Sequence, residues 1–107
     1  MADAQPDIDV RLGDSVDLPC PTEGGEDITR LTFCNAVDCT QDTELFQWSY
    51  DQPLPTGGKY SLDVNAKKVT IHDVQISDER TYNCRTSDPF TQDNRYNLVV
   101  YGTRNLM

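Results

Sequence analysis

Asp78-Glu79-Arg80-Thr81-Tyr82-Asn83-Cys84 is the stretch on which the reading of this chain turns. In extended backbone, alternate side chains share a face, so Tyr82 and Cys84 point one way while Thr81, Asn83 and Arg85 point the other. A second cysteine, Cys20, lies far upstream, and the single tryptophan, Trp48, falls between the two. Cys34 and Cys39, with four residues between them, complete the set of four cysteines.

Outward from that stretch, period-two alternation recurs between turn signals, and helical periodicity never persists, so the chain reads as all-β. Ile8, Val10 and Leu12 alternate before Gly13-Asp14, followed by Val16, Leu18 and Cys20. Pro19 sits inside that second run, where its missing N–H has to face no neighbouring strand. Residues 21–43 form a long polar stretch broken only by Ile28, Leu31 and Phe33. Leu45 to Tyr50 reads as a strand with Phe46, Trp48 and Tyr50 on one face and Gln47 and Ser49 on the other. Residues 59–64 and 68–72 follow as a pair of strands about an Asn65-Ala66-Lys67 turn. Tyr96, Leu98 and Val100 alternate in the last strand, which places Val99 and Tyr101 on its opposite face. Domain organisation is read as a flexible segment over 1–7, one folded unit over 8–102, and a tail or linker stub over 103–107.

The 107 residues suffice for one domain, since a chain of this size hides roughly two thirds of its unfolded surface. Hydrophobic residues make up 36% and charged residues 25%, and this balance fits a packed globule despite a mean hydropathy of −0.62. Eighteen acidic residues against nine basic ones give a net charge of −9 with no basic run, which argues against nucleic acid or anionic membrane as a partner. Four cysteines with no CxxC pair and one histidine fit disulfides and an oxidising compartment better than zinc. No stretch approaches a membrane span, and Met1 to Asp7 carries neither a basic nor an apolar leader region. The chain is therefore expected to be a mature fragment or ectodomain, with any leader or anchor elsewhere. It holds no Asn-x-Ser/Thr sequon, so no face should be masked by N-linked glycan.

The combination of Cys20, Trp48 and Asp78-x-x-x-Tyr82-x-Cys84 resembles the immunoglobulin superfamily, departing from its usual pattern where Arg80 replaces a small residue. The resemblance implies a Greek-key sandwich of two antiparallel sheets. It pairs Cys20 of strand B with Cys84 of strand F, which leaves Cys34 with Cys39. Trp48 becomes the strand C core residue packed on the first bridge, and Tyr82 the tyrosine corner, with Leu18 and Ile71 in the core around them. A Lys59 to Asp78 ion pair is expected at the base of the sandwich. Only ten residues separate Trp48 from Lys59, which resembles the intermediate set, whereas the 28 positions from Cys20 to Trp48 imply a long insertion between strands B and C that is more like the variable set.

Chemistry is nearly absent. His72 has no Gly-x-Ser-x-Gly elbow to serve, and the acidic residues follow no calcium-loop spacing, so neither catalysis nor a metal or other cofactor is expected. Binding remains. One expected contact region is a disulfide-stapled recognition loop around Asn35 to Asp38, placed at the end of the sandwich where antibody-type loops cluster. A second is the loop carrying Phe90, and a third is the outer sheet face bearing Gln47, Arg85, Val99 and Tyr101. The family implies an extracellular recognition or adhesion receptor, cell-surface or secreted, with a protein partner, for which a second copy in trans and a different protein are both open. Invertebrate allorecognition receptors use such domains in this way. The rival readings are an I-type structural spacer and a soluble immune binder.

Overall fold

The computed structural model describes residues 6–50, 52, 58–86 and 92–102. Among the described residues, eight strands form two sheets: β1 (Asp7–Arg11), β2 (Val16–Pro19), β3 (Arg30–Cys34), β4 (Glu44–Ser49), β5 (Tyr60–Asp63), β6 (Lys68–Ile71), β7 (Thr81–Thr86) and β8 (Gln92–Tyr101). The larger sheet has the order β1-β8-β7-β3-β4 and the smaller β2-β6-β5. All pairings are antiparallel except β1 with β8. That exception follows from the crossing of the chain between sheets at Gly13. Its φ of 89° is one that residues with a β-carbon rarely adopt, and its N–H reaches the carbonyl of Val74. β2 is an edge strand, which accommodates Pro19.

The core fills the space between the sheets. Leu18 of β2 and Val69 and Ile71 of β6 are fully buried against Leu31, Phe33, Tyr82, Cys84 and Leu98 from the larger sheet. The Cys20–Cys84 disulfide crosses this space and closes a 64-residue separation. Linking residues so far apart restricts the denatured chain by about 4 kcal/mol in the chain-entropy account. Phe33 stands at the centre. It is 0% exposed, and its ring lies 5.4 Å from Phe46, 5.5 Å from Tyr82 and 5.6 Å from Tyr60.

This arrangement corrects the assignment of Trp48 to strand C. The strand hydrogen-bonded to β7 is β3, and the aromatic residue it sends into the core is Phe33. Trp48 lies one strand further out on β4, opposite Leu31 in register, where it packs half-buried against the margin of the core. There is accordingly no long insertion after β2. Residues 20–29 connect β2 to β3, and the part of 21–43 expected to be an insertion contains a core strand. The physical reason is that Leu31-Thr32-Phe33 already alternates as a strand, and a phenyl ring fills the central position that tryptophan was expected to hold.

Two further contacts hold the turn that enters β7. Tyr82 Oη donates to the carbonyl of Asp78 at 2.6 Å. Lys59 Nζ, just ahead of β5, meets Asp78 Oδ2 at 2.7 Å beside β7 and also donates to the carbonyl of Asp73. Asp78 in turn accepts from the Gln75 N–H, so this single carboxylate organises the turn that enters β7.

Candidate recognition face

Because Tyr82, Cys84, Phe33, Leu98 and Val100 point into the sandwich, their neighbours point out from the larger sheet. The register sets Arg85 opposite Asp93, Asn83 opposite Arg95 and Thr81 opposite Asn97 on β7 and β8. β3 and β4 add Thr32 and Gln47, which face each other, and Arg30 and Ser49. Val99 and Tyr101 continue the face along β8 beside Asp9 and Arg11 of β1. Gln47 and Tyr101 are exposed, while Arg85 and Val99 are half-buried.

The stapled turn is part of this face. The Cys34–Cys39 disulfide lies in the connection from β3 to β4, not in one from β2. It therefore leaves β3 at the end opposite the β2–β3 connection, whose Pro21 carbonyl accepts from Asn94 Nδ2 of β8. The expected position among antibody-type loops is corrected accordingly. Cys34 faces outward, so the bridge draws residues 35–39 over the middle of the sheet. Asn83, which is 1% exposed, donates from Nδ2 to the carbonyl of Val37 at 2.8 Å and anchors the turn to β7. Asn35 N–H donates to the Thr43 carbonyl, and Thr43 Oγ1 donates to the Asp38 carbonyl, each at 3.0 Å. Three separate attachments thus hold this short turn, and a turn already ordered loses little entropy when it binds.

Charge on the face is mixed. Asp93 accepts from Arg85 Nε and from Arg95 Nη2, both at 2.9 Å, and Arg95 also lies 3.7 Å from Asp38. All four side chains are partly exposed, so each contact contributes only about 0–1 kcal/mol to stability. Their greater effect is to fix where the charges sit. Beside them, a groove of about 270 Å³ runs between the stapled turn and the strands, lined by Thr32, Cys39, Thr40, Glu44, Gln47 and Arg85.

The fold therefore unites two regions that had been treated separately, the Asn35 to Asp38 turn and the face carrying Gln47, Arg85, Val99 and Tyr101. Phe90 lies outside the described residues. Asp93 and Arg95 had been overlooked, although the alternation that turned Val99 and Tyr101 outward places them on the same face. Also unrecognised was the role of Asn83 as the buried anchor of the turn, for which the sequence offers no local signal.

A five-stranded sheet with β1 parallel to β8, packed on a three-stranded sheet through a disulfide and a tyrosine corner, defines an immunoglobulin sandwich. The chain belongs to the immunoglobulin V-set domain family, which it matches over residues 3–101. Solved structures share the fold at low identity. The first domain of human CD48 antigen is 20% identical with a TM-score of 0.73, covering 96% of this chain and 88% of that one. CD84 is 16% identical with a TM-score of 0.70, covering 92% of this chain and 98% of that one. The CD2-binding domain of CD58 is 15% identical with a TM-score of 0.70; the match takes in 91% of this chain and only 54% of that one. The comparison with curated proteins gave no match.

Proposed function

We propose that this domain is an extracellular protein-recognition module that binds through the outer face of its larger sheet, and that a second copy of the same domain is a partner. The observation that carries the reading is the uneven distribution of charge. The molecule has a net charge of −9, yet the outer face sets Arg11, Arg30, Arg85 and Arg95 against Asp7, Asp9, Asp38, Asp93 and Glu44. Two copies of so acidic a protein repel one another over most of their surface, and the repulsion is weakest where this near-neutral face is presented. Alternating signs also make the face self-complementary, as a two-fold interface requires. The rigid stapled turn and the exposed Tyr101 supply shape and an aromatic contact.

Two disulfides fit an oxidising, extracellular setting. Among the structural neighbours, CD58 is described as binding CD2, and the sodium channel β4 subunit as forming parallel homodimers that explain its role in cell-cell adhesion. Both descriptions accord with a face that binds protein.

Sedimentation equilibrium of the domain across a wide concentration range, paired with aggregation of beads coated with it, tests the proposal. Concentration-dependent dimers and bead clusters are expected, and both should weaken in Arg85→Glu and Tyr101→Ala. A monomer at every concentration together with dispersed beads would eliminate self-recognition.

A further inference from the structure

A second concavity lies away from the outer face, at the end of the sandwich where the β2–β3 connection meets the β5–β6 turn. It measures about 430 Å³, within the roughly 300–1,000 Å³ usual for ligand sites, and is lined by Trp48, Tyr50, Asp27, Thr29, Val64 and Asn65 among others. Its origin is the inward-facing row of β4. Phe46 is buried on Phe33, Trp48 is half-buried at the core margin, and Tyr50, just past the strand, is 68% exposed. The row thus runs from the core out toward solvent and leaves two aromatic side chains on one wall. A hydrogen bond from Tyr50 N–H to the Thr29 carbonyl at 3.0 Å fixes this wall to the segment carrying Asp27.

The chemistry of that lining selects one kind of occupant. Aromatic faces attract cations through the ring quadrupole, and a nearby carboxylate adds a direct charge. Asp27 is exposed and is the charged residue among the described residues that line the cleft; none of those residues is basic. The lysines nearest in sequence to the β5–β6 turn are engaged elsewhere. Lys67 Nζ donates to Thr22 Oγ1, and Lys68 Nζ pairs with Asp17. A net charge of −9 further raises the local concentration of cations. We propose that this cleft is a binding site for a cationic side chain, arginine or lysine, presented by a protein partner. It is independent of the outer face, so one domain offers two separate surfaces.

Trp48 is the only tryptophan, and it lines the cleft, so its fluorescence reports occupancy directly. The intact domain would be titrated with acetyl-Gly-Arg-Gly-amide, with the same peptide carrying neutral citrulline in place of arginine, and with choline. The indole N–H resonance of Trp48 would be followed in parallel. A saturable response to the arginine peptide and little to the citrulline peptide is expected. The apparent affinity should fall about fivefold or more in Asp27→Asn and in Tyr50→Ala, both exposed positions whose substitution leaves the core intact. Equal responses to arginine and citrulline, no saturable response, or insensitivity to Asp27→Asn would overturn the proposal. Binding of choline without the arginine peptide would also overturn it, because the cleft would then serve a small-molecule cation.

Discussion

Replacing Phe33 and Trp48 in separate variants compares directly the two aromatic residues that compete for the centre of this fold. Phe33 is fully buried and meets three other rings within 5.4 to 5.6 Å, so Phe33→Ala removes buried area, leaves a cavity and breaks a ring cluster. Losses of this kind run to about 3–5 kcal/mol, and the ring pairs place the expected value at about 4–5 kcal/mol. Trp48 is larger but half-buried at the core margin, and about 2 kcal/mol is expected for Trp48→Ala. Folding free energies of about 5–15 kcal/mol leave the Phe33→Ala domain close to unfolding, so Phe33→Leu, at about 1–2 kcal/mol, provides a measurable companion. Equilibrium unfolding in urea under non-reducing conditions, followed by far-ultraviolet circular dichroism for all variants, gives the comparison as midpoint shifts at constant slope. Should Trp48→Ala prove as costly as Phe33→Ala, the assignment of β3 as the central strand would be wrong, and so would the placement of the stapled turn on the outer face.

Other consequences follow from individual contacts. Replacing both Cys34 and Cys39 with Ala should cost only about 2 kcal/mol, against about 4 kcal/mol for the Cys20 and Cys84 pair, by the dependence of loop entropy on length. Hydrogen exchange should then quicken in residues 35–39 while the buried strands stay protected. Tyr82→Phe forfeits the 2.6 Å bond to the Asp78 carbonyl and should lower stability by about 1 kcal/mol in denaturant titrations. The Tyr82 hydroxyl is pushed well above its ordinary pKa, first by burial and then by the Asp78 charge. The stability this gives is present below about pH 10 and lost as pH rises beyond it, and Tyr82→Phe should flatten part of that alkaline fall. Burial raises Tyr60 and Tyr96 as well, so the flattening should be partial. Asp17 titrates in the opposite sense. Hydrogen bonds from Thr70 and then Lys68 lower its pKa, so its contribution is present above about pH 4 and lost as pH falls further. Asp17→Asn should cost well under 1 kcal/mol at neutral pH, because the pair is exposed, and the difference from the parent domain should vanish in acid unfolding curves.

How far the fold could be read in advance depended on whether a residue's role is set by its neighbours in sequence or by its neighbours in space. Tyr82 and Cys84 belong to the first kind. Their spacing on one strand, the Asp78 turn before them and the distant Cys20 were enough to suggest the sandwich, the bridge and the pair of sheets. Phe33 belongs to the second kind. A core centre requires a large ring at a particular depth, and a phenyl ring meets that requirement when Phe46, Tyr60 and Tyr82 close around it. Treating tryptophan as the marker moved strand C fifteen positions along the chain, from Phe33 to Trp48, and turned a core strand into an apparent insertion. The local pattern of Leu31-Thr32-Phe33 contained the correction, since period two takes precedence over the identity of a single aromatic residue.

The same distinction explains what could be read of the recognition face. Alternation alone orients Gln47, Arg85, Val99 and Tyr101 outward, and it does the same for Asp93 and Arg95. It cannot show that Asp93 is shared by two arginines, which depends on the antiparallel register of β7 against β8. Nor can it show that Cys34 and Cys39 pull their turn across the face, because that requires Cys34 to occupy an outward position on β3, and so requires β3 to have been recognised as a strand. One misplaced strand therefore displaced the staple from the face to the loop end. The frame residues determine where the sheets lie, and the outward partners of those residues, fixed by register, determine what the sheets present.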